Sequence, residues 1–395
     1  MPKKTKKKIR VMVVAGTRPE VIKIAPVIQK LQNQPDKFKT IIVATAQHRE
    51  LLDQALSFFH IKPDIDLNLM SPRQGLPELT GRVLENISGT LSKVKPDIVL
   101  VQGDTTTVFA SVLAAFYKKI PVAHIEAGLR SYNNYSPFPE EINRRLTTTM
   151  TDIHFAPTLL AKKALLREGV AGDKIVVTGN TVVDALMYIS QLPFTFNDDL
   201  LGNLDFDKHR LVLVTSHRRE SWGADLENIC KAIKALVEKH PDIIVVYPVH
   251  PNPIVKNTVK PILDGINRIY LVDPLDYITF VNLIKNCYMI LTDSGGLQEE
   301  APTLKKPLLL LRDVTERPEA FNAGLAKIVG TDQQKIILES DNLLNDARLY
   351  QKMTDCRNPY GDGQASDRIV NALIRWAKGE NQLLTPFEEF DPQAA

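Results

Sequence analysis

At 395 residues and 44% hydrophobic content, the chain is long enough for two cored domains. A net charge of +3 with 24% charged residues gives no overall field that points to nucleic acid. No uninterrupted apolar run is long enough to span a bilayer, and Cys230, Cys287 and Cys356 match neither a zinc spacing nor a disulfide framework.

The chain opens on a basic run, Lys3, Lys4, Lys6, Lys7, Lys8 and Arg10, read as a solvated, frayed tail. The apolar segment behind it, Val11 to Ala15, is too short for a signal peptide. Short β-rich runs then alternate with helical periods, the pattern of a parallel sheet flanked by helices. Strands are predicted at 9–15, 40–45, 97–102, 121–125, 153–156 and 175–178, then at 211–216, 243–248, 269–272, 288–292 and 307–311. Among the helices between them is 225–239, where Leu226, Ile229, Ile233, Leu236 and Val237 recur at helical spacing. The two series part near 190–209, where Gln191-Leu192-Pro193, Asn197-Asp198-Asp199 and Gly202-Asn203 suit a linker.

The expected fold is therefore α/β, with two Rossmann-like doubly wound domains at 9–190 and 205–365 and a cleft between them. Ligands of such sheets bind at the carboxyl ends of strands. A last helix is expected from about 366, on Ala365, Ile369, Ala372, Leu373 and Trp376, and Phe387 to Ala395 reads as a tail. Cys230 and Cys287 fall in apolar helical patterns, which predicts reduced core thiols and a cytoplasmic protein.

The polar motifs gather at strand ends. The first strand runs into Gly16-Thr17-Arg18-Pro19-Glu20, with Lys23 one turn into the helix; one glycine is too few for a dinucleotide fingerprint. Arg18 and Lys23 suit a diphosphate, or Arg18 a salt bridge. Asp104 follows the strand 97–102, Glu126 follows 121–125, and Pro137-Phe138-Pro139-Glu140-Glu141 opens a helix. Carboxylates at neighbouring strand ends repel one another, so at least one should hold its proton as a proton-shuttling site requires.

In the second half, His217 closes a strand and could donate to a phosphate or a sugar hydroxyl. His250 lies in a loop with three prolines and serves either that loop or a ligand. Phe280, after Asp273-Pro274-Leu275-Asp276-Tyr277, offers a platform for a base, and Arg317 another anion contact. Ser294-Gly295-Gly296 ends the strand 288–292; Ser294 is the expected N-cap, and the glycines admit a ligand to the backbone. Glu299 and Glu300 beside it suggest a ligand that also carries hydroxyls, such as a ribose. A P-loop, a His-Glu-x-x-His motif and clustered Cys/His ligands are all absent, so no catalytic metal is expected.

Assembled, these segments resemble the non-hydrolysing UDP-N-acetylglucosamine 2-epimerases. The resemblance runs through Gly-Thr-Arg-Pro-Glu at 16–20, Ala-Gln-His-Arg-Glu at 46–50, Val-Gln-Gly-Asp-Thr at 101–105 and His-Ile-Glu-Ala-Gly-Leu-Arg at 124–130. It continues through Pro-Glu-Glu-Ile-Asn-Arg at 139–144, His-Arg-Arg-Glu at 217–220, Asp-Ser-Gly-Gly-Leu-Gln-Glu-Glu-Ala-Pro at 293–302 and Glu-Arg-Pro-Glu at 316–319. What it implies is a GT-B-like pair of Rossmann-type domains with the active site in the interdomain cleft, and a last helix that crosses back onto the first domain.

The implied reaction interconverts UDP-GlcNAc and UDP-ManNAc without NAD, metal or other cofactor. UDP is eliminated to leave a 2-acetamidoglucal, then added back after C2 is protonated on the other face. The family's catalytic residues fall on Asp104, Glu126, Glu140 and His217. Its UDP contacts fall on Arg18, Lys23, Phe280, Ser294, Gly295, Gly296, Glu300 and Arg317, with Leu275 meeting the base through its backbone. Gln47, Arg73 and His250 match residues at which some relatives bind a second, activating UDP-GlcNAc. Glu50 stands where some regulated relatives carry Gln, which argues against such activation here. A homodimer in the cytoplasm, with a UDP-sugar substrate, no nucleic acid or membrane partner and a role in cell-surface polysaccharide synthesis, completes the implied picture. The rival readings are a hydrolysing 2-epimerase, a 2-epimerase of a UDP-2,3-diacetamido sugar acid, a GT-B glycosyltransferase and a silent sugar-nucleotide-binding module.

Overall fold

The computed structural model describes residues 8–45, 49–69, 74–196, 199–315 and 317–393. The chain divides into two compact units, one made of 1–185 and 360–395, the other of 186–359.

The first unit holds β1 (Ile9–Ala15), β2 (Phe38–Ala44), β3 (Ile65–Asp66), β4 (Ile98–Gln102), β5 (Val122–Ile125), β6 (Ile153–Ala156) and β7 (Ile175–Val177). They form one sheet in the order β3-β2-β1-β4-β5-β6-β7, with every pairing parallel. Strands covered by helices on both faces read as continuous apolar runs; β4, Ile-Val-Leu-Val-Gln, is buried throughout. The second unit holds β8 (Arg210–Thr215), β9 (Ile243–Pro248), β10 (Ile269–Val272), β11 (Cys287–Thr292), β12 (Leu308–Leu310) and β13 (Ala326–Ile328). Their order is β10-β9-β8-β11-β12-β13, again all parallel.

The two shortest additions to the expected strands are β3 and β13, of two and three residues. Neither is long enough to show a period of its own; sheet pairing defines both. The helix Ala224–Lys239 buries Leu226, Ile229, Cys230, Ile233, Leu236 and Val237 against the second sheet. Cys230 and Cys287 are buried, and desolvation pushes both thiols up to about 12. Among the described residues no helix is long and apolar enough to cross a membrane.

The last helix, Ala365–Ala377, belongs to the first unit. Its first turn is held by Asp184, which accepts from the Ser366 amide at 2.8 Å and hydroxyl at 2.6 Å. Lys30 of the helix Arg18–Gln32 donates to its Asp367 at 2.9 Å. The segment after it corrects the expectation of a tail. Phe390 is 4% exposed, its amide donates to the Val177 carbonyl at 2.8 Å, and Glu389 pairs with Lys162 at 2.9 Å. One aromatic anchor, with polar partners on β7 and on the helix Leu159–Arg167, is enough to dock a chain end.

Candidate active site

Each sheet reverses its strand order once, beside β1 and β4 in the first and beside β8 and β11 in the second. Such switch points are where loops diverge and ligands enter a parallel sheet. In both units a buried carboxylate stitches the two loops together.

In the first unit that carboxylate is Glu20. Thr17 and Glu20 form the capping box that starts the helix Arg18–Gln32. Glu20 Oε2 accepts from the amides of Gly16 at 2.5 Å and Thr17 at 3.0 Å. The Thr105 hydroxyl, beyond β4, donates to its Oε1 at 2.5 Å. Burial pushes this carboxyl up to about 7, against the hydrogen bonds from Thr105, Gly16 and Thr17, with the Asp104 charge adding to the rise. Proton retention at a carboxyl was expected of the candidate catalytic acids, yet its clear instance is Glu20, which motif reading left without a role. The Thr-x-x-Glu spacing was the available signal. Gly16 is needed for space, since a Cβ there would stand 2.5 Å from Thr45 Oγ1.

Around this stitch lie the first unit's candidate residues. Arg18 is half-buried at the helix start, and its guanidinium makes no ion pair with a described residue, which weighs against the salt-bridge alternative. Lys23 forms an ion pair with Glu126 Oε1. Glu126 also accepts from Gln102 Nε2 through Oε2, and from Asn180 Nδ2 through Oε1 at 3.2 Å. Its backbone is left-handed, at φ 65°, a conformation that costs a non-glycine residue about 1–3 kcal/mol and is found where surrounding bonds over-determine it.

Asp104 Oδ2 receives the Arg144 guanidinium through Nε at 2.8 Å and Nη2 at 2.7 Å, while Asn143 Nδ2 donates to the Asp104 carbonyl at 3.0 Å. Glu140 and Glu141 begin the same helix with different fates. Glu141 is fully buried and accepts from the amides of Ser131 at 2.9 Å and Tyr132 at 3.2 Å. Glu140 is half-buried and bonds to no described residue. His124, buried under this edge, bonds through Nε2 to the Gly103 carbonyl at 2.7 Å. Desolvation lowers its imidazole to about 4, so the ring stays neutral and acts as donor there.

In the second unit the stitch is Asp293, fully buried beyond β11. Its Oδ2 accepts from Ser216 Oγ at 3.0 Å and from the amides of His217 at 2.7 Å and Arg218 at 2.8 Å. His217, beyond β8, has a side chain 39% exposed. The His250 ring stacks on it with centroids 5.4 Å apart and an interplanar angle of 11°, while His250 Nδ1 accepts from the Asn252 amide at 3.2 Å. His250 thus serves its own loop and also covers His217. The two residues grouped with it, Gln47 and Arg73, lie outside the described residues.

Ser294 is not the N-cap. The chain turns first, with the Gln298 amide donating to Gly295 O at 3.2 Å and the Glu299 amide to Gly296 O at 2.9 Å. The helix therefore starts at Leu297, and its cap is Gly296, which has no side chain to offer. Ser294 is held by its backbone, its amide donating to Thr292 Oγ1 at 2.9 Å. Gly296 has φ −61°, so no special conformation demands glycine there. A Cβ on it would meet nothing within 4 Å; the glycine leaves the backbone open to approach.

Of the acids that follow, Glu299 is buried and pairs with Arg317 Nε at 2.6 Å, while Glu300 Oε1 accepts from the Tyr277 hydroxyl at 3.3 Å. Leu275 lies in the loop ahead of the helix Tyr277–Asn286, which Asp276 caps, and Phe280 stands half-buried on that helix. Arg144, His124 and Asp293 join Glu20 as residues whose distant bonding partners only three-dimensional contact reveals.

Paired parallel α/β units, one edged with carboxylates and the other with an imidazole and an open glycine turn, define a protein of the GT-B-like Rossmann class. The family model for UDP-N-acetylglucosamine 2-epimerase matches residues 29–374. A UDP-N-acetylglucosamine 2-epimerase of Escherichia coli O157:H7 is 51% identical over 371 residues, 92% of this chain and 98% of that protein. The crystal structure of the Neisseria meningitidis UDP-GlcNAc 2-epimerase bound to UDP-GlcNAc is 48% identical, with a TM-score of 0.85 over 93% of this chain and 100% of that one. The Methanocaldococcus jannaschii enzyme, in complex with UDP-GlcNAc and UDP, is 37% identical with a TM-score of 0.74 over 92% of this chain and 99% of that one. The chain belongs to the UDP-N-acetylglucosamine 2-epimerase family and is an enzyme with epimerase activity.

Proposed function

We propose that the enzyme is a non-hydrolysing epimerase that interconverts UDP-GlcNAc and UDP-ManNAc. The observation that carries this reading is the first unit's carboxylate set. Asp104 is braced by Arg144, Glu126 is gripped by Lys23, Gln102 and Asn180, and Glu140 bonds to no described residue. One carboxylate takes the C2 proton as the C1–O bond breaks and UDP departs with the electron pair, leaving a 2-acetamidoglucal. Another returns a proton to C2 from the opposite face, and a diphosphate oxygen re-forms the bond to C1. Fixed polar groups aimed at developing charge lower such barriers without reorganising.

In this reading Arg18, Lys23 and Arg317, with the Ser294-Gly295-Gly296 turn, hold the diphosphate. Glu300 accepts from the ribose, Phe280 and the Leu275 backbone meet the base, and His217 bonds to the diphosphate or a sugar hydroxyl. The relatives crystallised with UDP-GlcNAc support the substrate class. The enzyme would work as a cytoplasmic homodimer, for which Phe116 and Tyr117, 57% and 63% exposed at one helix end, offer apolar surface. NMR of the enzyme with UDP-GlcNAc in D2O, with no NAD, metal or acceptor added, tests the reaction. Deuterium at C2 and a mixture of both UDP-sugars is the expected result; stoichiometric UDP and free ManNAc would refute it.

A further inference from the structure

The His217 loop is fastened through both its backbone and its side chains. Thr215 Oγ1 bonds to Thr292 Oγ1 at 2.6 Å, the Tyr247 hydroxyl donates to the Ser216 carbonyl at 2.9 Å, and Trp222 Nε1 donates to the His217 carbonyl at 3.3 Å. Asp293 contributes three more bonds, all through Oδ2. Its other oxygen, Oδ1, is fully buried without a hydrogen-bond partner among the described residues, and lies 3.4 Å from Nδ1 of His217. A carboxylate oxygen taken out of water and left unbonded is costly. A proton on Nδ1 would satisfy it, with a small tightening of the ring.

We propose that Asp293 is the positioning residue for His217: it fixes the neutral imidazole as the Nδ1–H tautomer and so leaves Nε2 bare, as the acceptor for a hydroxyl proton of the substrate sugar rather than as a donor to the diphosphate. The proposal rests on the reading of His217 as a substrate-contacting group. Free imidazole carries its proton on either nitrogen, and the partner at one nitrogen decides the state of the other. When that hydroxyl passes its proton to Nε2, Asp293 balances the imidazolium charge, and its bonds to backbone amides keep it from following the ring. The groups facing His217 are Asp293, His250 and Arg218. Burial lowers the imidazole's proton affinity, Asp293 opposes that, and His250 and Arg218 reinforce it, which keeps the resting ring neutral.

Asp293→Asn is the discriminating change. The amide oxygen can take the place of Oδ2 and keep the bonds from Ser216, His217 and Arg218, while the amide nitrogen then faces Nδ1 as a donor. That arrangement requires a bare Nδ1 and moves the proton to Nε2.

The test is 15N NMR of histidine-labelled full-length enzyme at pH 8, with the His217 signals assigned by their loss in His217→Asn. The wild type should show a protonated Nδ1 and a bare Nε2, and Asp293→Asn the reverse. An Nε2–H tautomer in the wild type, or no exchange in the variant, overturns the proposal. This readout needs no turnover, so it is separable from failure of the epimerase reading. In the activity assay kcat should fall by about 10²- to 10⁴-fold with KM little changed. In a His217→Asn background the same change should cost less than about threefold; a full further loss there would make Asp293 a scaffold residue only.

Discussion

Glu20 offers a prediction in which the sign and size both follow from the site. Its carboxyl sits at about 7 against an ordinary value of 4.5, mainly because it is buried. The native protein therefore binds this proton more tightly than the unfolded chain does. Its stabilising contribution is complete below pH 4.5 and is lost as pH rises through about 7, a loss of about 3 kcal/mol. Glu20→Gln removes the titration and keeps the geometry: its oxygen can accept from the Gly16 and Thr17 amides, and its amide can donate to Thr105.

Urea unfolding between pH 4.5 and pH 8, followed by Trp376 fluorescence in a Trp222→Phe background, reads the first unit alone, since Trp376 lies on the helix Ala365–Ala377 and Trp222 is in the other unit. Across that range the wild type should lose about 3 kcal/mol relative to the Gln variant, and should be the less stable of the two at pH 8. Parallel pH profiles for the two proteins would refute the argument, because they would mean that Glu20 titrates alike in the folded and unfolded chains.

Asp104→Asn should remove turnover while leaving UDP affinity within about twofold by calorimetry, because the Arg144 guanidinium keeps Glu141 at 3.2 Å and the Asn143 bond to the backbone carbonyl remains. Comparable loss of UDP binding would reassign Asp104 to the nucleotide. Gly296→Ala should leave the melting temperature unchanged or slightly raised, since the backbone is helical there and the new methyl meets nothing within 4 Å. UDP affinity should nonetheless fall by at least about tenfold, or about 1.4 kcal/mol; unaltered affinity would show that no ligand approaches this backbone.

The alternation of short apolar runs with amphipathic helices was legible in the chain because both periods are local, and a strand such as β4 can only be buried on both faces. The strand ends carried their polar motifs in plain view for the same reason. What lay out of reach was the use each polar group is put to. Glu140 and Glu141 are neighbours of identical chemistry, yet only Glu141 is spent on backbone amides. Lys23 reads as a phosphate cation, and no local pattern shows that its ammonium also pairs with Glu126, 103 positions away. The N-cap moved from Ser294 to Gly296 because the turn closes before the helix does, and the supposed tail docks because Phe390 finds β7.

Periodicity and composition act between residues close along the chain, so the sequence alone determined the fold class and the cast of chemical groups. Burial and hydrogen-bond partnership arise between distant segments. Only the tertiary structure could decide that Glu20 and Asp293, unremarkable in the chain, each fasten together the loops at the switch point of their sheet.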